Sequence, residues 1–389
     1  MRQKGGGLLR FGLFYTLRFP EPWSQEGEYK CLWETVEQVT YAEEMGFEGL
    51  WLTEHHFIPS WSMCAAPEVI LGAISQRTSK MRLGIAVVMS PIHHPLHTAV
   101  KIATLDLLSN GRADLGVGRS TTPLQLSPFG VKLEDTRDMV DETLSIIPRM
   151  WTEEVFSHQG KHYNIPPLAV VPKPLQRPHP PLWSACTQEE TSRIAGELGV
   201  GCLIHGQGGP TKVATYVNTY KEAIKQAKPV GKFVNDHVVA DIRAYCGEND
   251  QRAREQGAQW IADDIIPDRN RRAKYWEVVS EADVPPDYLH HFRSAQRRLS
   301  TDKSDVTAET LLDRESGYCM GDPDACIEIV ERYEAAGVEE VMLSLLVSPN
   351  TTHEDAMQTL RLFGKYVVPH FQEKEKKARP VAQQISADN

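Results

Sequence analysis

Short, almost wholly apolar runs that alternate with helix-patterned segments restrict most strongly the folds open to this chain. Such runs fall at residues 8–15, 49–53, 81–89, 113–117, 182–185, 200–204, 238–245 and 338–346. A strand with one face in water alternates apolar and polar residues, whereas a strand covered on both faces has no need to. The run Met81-Arg82-Leu83-Gly84-Ile85-Ala86-Val87-Val88-Met89 is of the second kind. Between the runs, apolar residues recur at helical spacing. Leu32, Val36, Val39, Ala42 and Met45 precede the stop at Gly46, and Leu96, Val100, Ala103 and Leu107 precede Gly111. Further helices are read over 67–79, 134–150, 187–198, 211–227 and 353–368. Asp322-Pro323 supplies an N-cap and a first-turn proline for another.

Buried parallel strands joined by helices leave two architectures, a doubly wound sheet or a closed barrel. Eight strand–helix repeats in a chain of 389 residues predict a single-domain (β/α)8 TIM barrel over 1–389. Two stretches interrupt the rhythm. Residues 152–180 read as a small hairpin over Phe156–Ile165 followed by a proline-rich connector. Residues 247–318 are charged, with helical pieces and no strand; they form the largest insertion, between strands seven and eight, and are expected to cover the barrel mouth. The charged tail 372–389 is expected to fray.

Charge and cysteine usage exclude several functions. A net charge of -10 argues against nucleic acid or an anionic membrane as a partner. The seven cysteines are scattered, odd in number and without a C-x-x-C pair, which suits a reduced, cytoplasmic chain. The first apolar run is broken by Arg10 and Arg18, too soon for a secretory signal or a membrane span.

In a barrel, chemistry gathers where the carboxyl ends of the strands converge. One such end stands out: Leu50-Trp51-Leu52-Thr53 runs directly into Glu54-His55-His56-Phe57. Adjacent histidines on extended backbone diverge, and neither this pair nor His93-His94 forms His-Glu-x-x-His, so no metal site is expected. No pair of carboxylates faces inward from separate strands, as a glycosidase needs, and no Gly-x-Ser-x-Gly nucleophile turn is present. Arg119, after Gly116-Val117-Gly118, is shaped for a bidentate grip on phosphate. The helix opening Thr187-Gln188-Glu189-Glu190-Thr191 offers hydroxyls, an amide and free backbone N–H groups to the same anion. Taken singly, Arg119 could equally pair with a surface carboxylate and Thr187 merely cap its helix. Trp51 and Trp183 lie within strands and read as core rather than as ring stackers.

Four motifs in order resemble the bacterial luciferase-like flavin monooxygenases. They are Glu54-His55-His56-Phe57, Val87-Val88-Met89-Ser90-Pro91-Ile92-His93-His94-Pro95, Leu105-Asp106-Leu107-Leu108-Ser109-Asn110-Gly111-Arg112 and Leu115-Gly116-Val117-Gly118-Arg119. The resemblance covers about residues 8–245 and 320–368. It implies a (β/α)8 barrel that binds FMN, usually as a dimer whose contacts lie on the helices after strands two and three. It implies a two-component monooxygenase, with reduced FMN supplied by a separate flavin reductase. Dioxygen would then form a C4a-hydroperoxyflavin that oxidises or hydroxylates an aldehyde, a ketone or an activated carbon. Carried over by position, His55 is the histidine that supports the oxygen intermediate. Ala86-Val87 is a non-prolyl cis peptide packed against the flavin ring. Arg119, Thr187, Gln188 and Thr191 hold the phosphate, and His205 lies close to the ring.

This sequence departs from the family at two points. Gly118 stands where the light-emitting enzymes carry a reactive cysteine, which argues against light emission, and Thr187-Gln188 replaces an acidic-hydroxyl pair. Two other functions remain open on the same barrel: a deazaflavin- or NAD(P)H-dependent hydride-transfer oxidoreductase, and a non-catalytic flavin-binding protein.

Overall fold

A computed structural model describes residues 9–18, 22–59, 61–120, 122–206, 208–274, 276, 279–300, 317–345, 350–374 and 376. Its strands are β1 (Arg10–Tyr15), β2 (Gly49–Leu52), β3 (Arg82–Met89), β4 (Ala113–Gly118), β5 (Phe156–Gln159), β6 (Asn164–Leu168), β7 (Leu182–Cys186), β8 (Gly201–His205), β9 (Val238–Cys246), β10 (Cys319–Gly321) and β11 (Glu340–Ser344). Its helices are α1 (Gln25–Glu44), α2 (Pro67–Ser75), α3 (Pro95–Leu108), α4 (Thr136–Thr152), α5 (Glu189–Glu197), α6 (Gly209–Ala223), α7 (Asp250–Lys274), α8 (Leu289–Ser300), α9 (Pro323–Ala335) and α10 (His353–Leu362).

Eight strands close a parallel ring in the order β9, β11, β1, β2, β3, β4, β7, β8 and back to β9. The expected (β/α)8 barrel is therefore the observed fold. β5 and β6 pair antiparallel as the expected hairpin, while β10, not foreseen as a strand, extends the end of β9 in parallel. Within 247–318, the described residues carry α7, α8 and short 3-10 turns; residues 301–316 lie outside the described residues. Of the tail expected to fray, 372–374 and 376 are helical and the remainder lies outside the described residues.

The amino-terminal end of the barrel is plugged, which leaves the opposite end for chemistry. Trp51 and Trp183 meet edge to face at 5.2 Å between ring centroids, both fully buried. Each indole N–H has an anionic acceptor. Trp51 donates to Glu340 Oε1 at 3.0 Å, and Trp183 donates to Asp114 Oδ1 at 3.0 Å. Arg82 holds the other Asp114 oxygen at 2.6 Å, and Arg10 lies 3.7 Å from Glu340 Oε2. Burying a carboxylate is tolerable only with such pairing. The indoles fit because glycine lies opposite: a Cβ on Gly84 would come within 2.3 Å of Trp51, and one on Gly201 within 2.2 Å of Trp183. Both tryptophans are core, as their place within strands implied.

The Leu105–Arg112 motif is also structural. The Arg112 guanidinium donates to the carbonyls of Ser75, Thr78 and Met81 and to the Thr78 hydroxyl, tying the end of α2 to β4. The carbonyls of Ser75 and Thr78 are turned to Arg112, and α2 stops at Ser75 rather than continuing to Ser79.

Candidate active site

Just beyond β2 the chain carries three ionisable side chains in a row, Glu54, His55 and His56. Glu54 is buried, and its Oε1 accepts from His56 Nε2 at 2.7 Å and from His93 Nε2 at 2.6 Å. Its Oε2 accepts the Met89 N–H at 2.8 Å. A 3-10 turn over Ser90–Ile92, just after β3, brings His93 back over β2. Burial alone would raise the carboxyl pKa of Glu54. The hydrogen bonds and charge of the two histidines, with the Met89 N–H, outweigh that and hold it down to about 2. Three potential metal-ligating atoms, on Glu54, His56 and His93, thus lie within 4.8 Å of one another. The sequence, which led to the expectation of no metal, does not reveal this cluster, because His56 and His93 meet only through the fold. In this arrangement the carboxylate is already engaged by three N–H donors. His94, next to His93, instead caps α3, where its Nδ1 accepts the Leu96 N–H at 3.3 Å.

His55 faces the other way. Its Nδ1 lies 3.2 Å from Gln125 Oε1, and its ring meets Trp61 edge-on at 6.0 Å. Gln125 is buried in a 3-10 turn over Pro123–Gln125, in the loop after β4.

Ala86–Val87 is a cis peptide on β3, as expected from position. Both side chains are half-buried, and with Phe14 they pack on top of the inner cluster of Trp51, Trp183, Leu203, Val239 and Met342. The result is a partly open apolar floor above the plug. Ser90, directly after β3, has a buried hydroxyl without a hydrogen-bond partner among the described residues.

Arg119 follows β4, and its guanidinium lies 4.7 Å from the ring centroid of Tyr288, a residue of the long insertion. Tyr288 donates its hydroxyl to the Ser120 carbonyl at 2.9 Å and shares a 3.0 Å hydrogen bond with Thr136. From the start of α8, His290 contacts the Gln188 side-chain amide. The insertion therefore reaches two of the expected anion-binding positions, which fits its expected place at the mouth. The start of α5 is internally tied. The Gln188 N–H donates to Thr191 Oγ1 at 3.2 Å, and Thr191 donates its own hydrogen to the Gln188 carbonyl at 2.8 Å. Thr187 is exposed beside them. At the end of β8, His205 Nδ1 lies 2.7 Å from Asp241 Oδ1 on β9; a carboxylate only accepts, so that nitrogen is the donor.

All eight expected positions thus lie at the carboxyl ends of β2, β3, β4, β7 and β8 or just beyond. Glu54's role as a clamp, Gln125, Asp241, Tyr288 and His290 were not singled out from sequence. Each acts through a partner distant in the chain, and no local motif marks it. Chemically, the mouth can seat a flat apolar surface on Ala86, Val87 and Phe14, with an anionic group at Arg119 and Thr187.

A (β/α)8 barrel with this mouth defines a class, and comparison with known proteins gives the family. The luciferase-like monooxygenase family matches residues 9–340, and the chain belongs to that family. It is 27% identical over 349 residues to 4-hydroxyprotoasukamycin monooxygenase of Streptomyces nodosus subsp. asukaensis, covering 87% of each chain. Among solved structures it resembles the oxygenating constituent of 3,6-diketocamphane monooxygenase from Pseudomonas putida, in complex with FMN. The TM-score is 0.74 at 19% identity, over 93% of this chain and 99% of that one. It also resembles the coenzyme F420-dependent tetrahydromethanopterin reductase of Methanopyrus kandleri, with a TM-score of 0.67 at 21% identity, over 94% of this chain and 100% of that one. Among the described residues, no helix is long and apolar enough to cross a membrane.

Proposed function

We propose that this protein is the oxygenase component of a two-component flavin-dependent monooxygenase. It takes reduced FMN from a separate flavin reductase and uses dioxygen to oxidise or hydroxylate an organic substrate: an aldehyde, a ketone or an activated carbon. The observation that carries the reading is the convergence of three neighbouring strand ends. His55 follows β2, the half-open Ala86–Val87 floor belongs to β3, and Arg119 follows β4. Family membership and the monooxygenase from Streptomyces nodosus support it, as does the bound FMN of the structurally similar camphane enzyme.

When bound, reduced FMN supplies the electron pair with which dioxygen is split between substrate and water. The protein's own work is positioning, exclusion of water and proton control. Ala86, Val87 and Phe14 offer the ring an apolar face. Arg119 offers the phosphate a planar cation already stacked on Tyr288. Thr187, Gln188 and Thr191 stand at the start of α5, where Thr187 is the exposed hydroxyl and Gln188 would exchange His290 for the anion. His55 handles the proton, and His205 is oriented by Asp241. Tyr288 and, at the start of α8, His290 reach Arg119 and Gln188 from the insertion.

Exposed Val69 on α2 and Leu107 and Leu108 on α3 support a homodimer through those helices. Seven free, buried cysteines support residence in a reducing cytoplasm. The test is equilibrium titration with reduced FMN, oxidised FMN and a deazaflavin, followed by turnover with a supplied flavin reductase. Preference for reduced FMN with oxygen-dependent product is expected. Tighter deazaflavin binding would favour hydride transfer on this barrel, and retention of oxidised FMN without turnover would favour a binding protein.

A further inference from the structure

We propose that Gln125 fixes the tautomer of His55, holding the neutral ring with its proton on Nδ1 and its lone pair on Nε2. Gln125 is then a positioning residue for the proton-handling group. The inference rests on the role given to His55 above only for its consequence, not for its geometry.

The amide of Gln125 is pinned from both ends. Its Oε1 accepts the backbone N–H of His56 at 2.9 Å, and a backbone N–H can only donate, so the atom there must be oxygen. At the other end Nε2 lies 3.1 Å from Ser120 Oγ and 3.2 Å from Thr122 Oγ1. Ser120 Oγ gives its own hydrogen to the Thr122 carbonyl at 3.1 Å, so towards Gln125 it can only accept. An amide flip would break both contacts. The same Oε1 faces His55 Nδ1 at 3.2 Å, and an oxygen without a hydrogen requires the imidazole nitrogen to be the donor. Nε2 is left as the basic nitrogen. When it takes a proton, the Nδ1–H stays on Gln125, so the ring changes charge without turning. This is how a partner outside the reacting atoms commonly sets histidine chemistry.

The arrangement also links the insertion to the proton site. Tyr288, stacked on Arg119, donates to the Ser120 carbonyl, and the Ser120 hydroxyl accepts from Gln125. Among the described residues, ionisable groups around this corner include Glu54 with His56 and His93, Arg18, stacked 5.2 Å from Trp61, and Arg119, next in the chain to Ser120.

The test is long-range nitrogen–proton NMR of the full chain labelled with 15N-histidine, without flavin. The His55 signals are assigned by their loss in His55→Gln. Above its pKa, wild-type His55 is expected to show a protonated Nδ1 and a bare Nε2. In Gln125→Met, which removes the acceptor at similar size, the two tautomers are expected to mix. Gln125→Glu keeps both acceptor contacts, so the protonated Nδ1 and bare Nε2 are expected to stay. A protonated Nε2 in the wild type or in Gln125→Glu, or an unmoved tautomer in Gln125→Met, would each overturn the proposal. The Gln125→Glu arm decides it even where Gln125→Met does not fold. Failure of the oxygenase reading shows in flavin reoxidation instead and leaves these ring signals where they are.

Discussion

Gly118 on β4 lies so close to Val87 on β3 that a Cβ built on it would stand 2.4 Å from Val87 Cγ2. Val87 belongs to the half-open floor of the mouth, and its β-branched side chain has little rotamer freedom with which to yield. Gly118→Ala or Gly118→Cys is therefore expected to push Val87 into the mouth. Overpacking of this kind costs about 1–3 kcal/mol of stability. FMN affinity is expected to fall by about tenfold, equivalent to about 1.4 kcal/mol. Thermal melting and flavin titration read the two effects separately. A cysteine side chain at position 118 does not fit while Val87 keeps its place.

Glu54 makes stability sensitive to acid. Its carboxyl is held at about 2, against an ordinary value of 4.5. A depressed carboxyl contributes fully above its unfolded value and loses that contribution as pH falls through the folded one. Stability against urea should therefore fall as the pH drops from about 4.5 to about 2 in the wild type. Glu54→Gln should flatten that limb and, near neutral pH, lower stability by about 3 kcal/mol, since the amide carries no charge and turns its NH2 donor toward N–H groups that the carboxylate accepts.

The phosphate role proposed for Arg119, which stacks on Tyr288, is tested by separating phosphate recognition from ring recognition. Arg119→Ala is expected to weaken FMN by about 10- to 100-fold, the worth of a charge-assisted hydrogen bond. Riboflavin, which lacks the phosphate, should bind the variant as it binds the wild type. Tyr288→Leu should cost FMN a smaller factor, from the loss of about 0.5–2 kcal/mol of cation–π attraction. Parallel titrations with the two flavins check both.

Trp51 tests the division between plug and mouth. Trp51→Phe leaves one buried oxygen of Glu340 without its indole donor, and a loss of about 1–3 kcal/mol is expected. Flavin affinity should stay unchanged. A marked loss of affinity with stability intact would place the indole against the cofactor instead of in the core.

The barrel was legible because buried parallel strands leave an unusual mark, continuous apolar runs at regular intervals. Arg119 and the residues of Thr187–Thr191 could be placed at the mouth because each directly follows a strand. What escaped was everything that depends on strands meeting across the ring. Glu54 was visible as a strand end, but its two histidine partners come from the loop after β2 and from the turn after β3. Gln125 sits in a loop whose sequence, Thr122-Pro123-Leu124-Gln125, reads only as irregular chain. Tyr288 was seen as one aromatic of a charged insertion, and nothing local tied it to Arg119. α2 fell short of the periodic pattern because turns and Arg112 use the backbone groups that further helix would need.

The central claim is that this mouth holds reduced FMN for reaction with oxygen under the control of His55. The most direct measurement mixes the protein and reduced FMN anaerobically, adds oxygenated buffer rapidly and follows the absorption spectrum. The expected result is flavin reoxidation slowed by about tenfold or more relative to free FMN, as exclusion of water from the site requires. In His55→Ala the slow phase should disappear while FMN still binds. Reoxidation at the rate of free flavin in both proteins would contradict the claim.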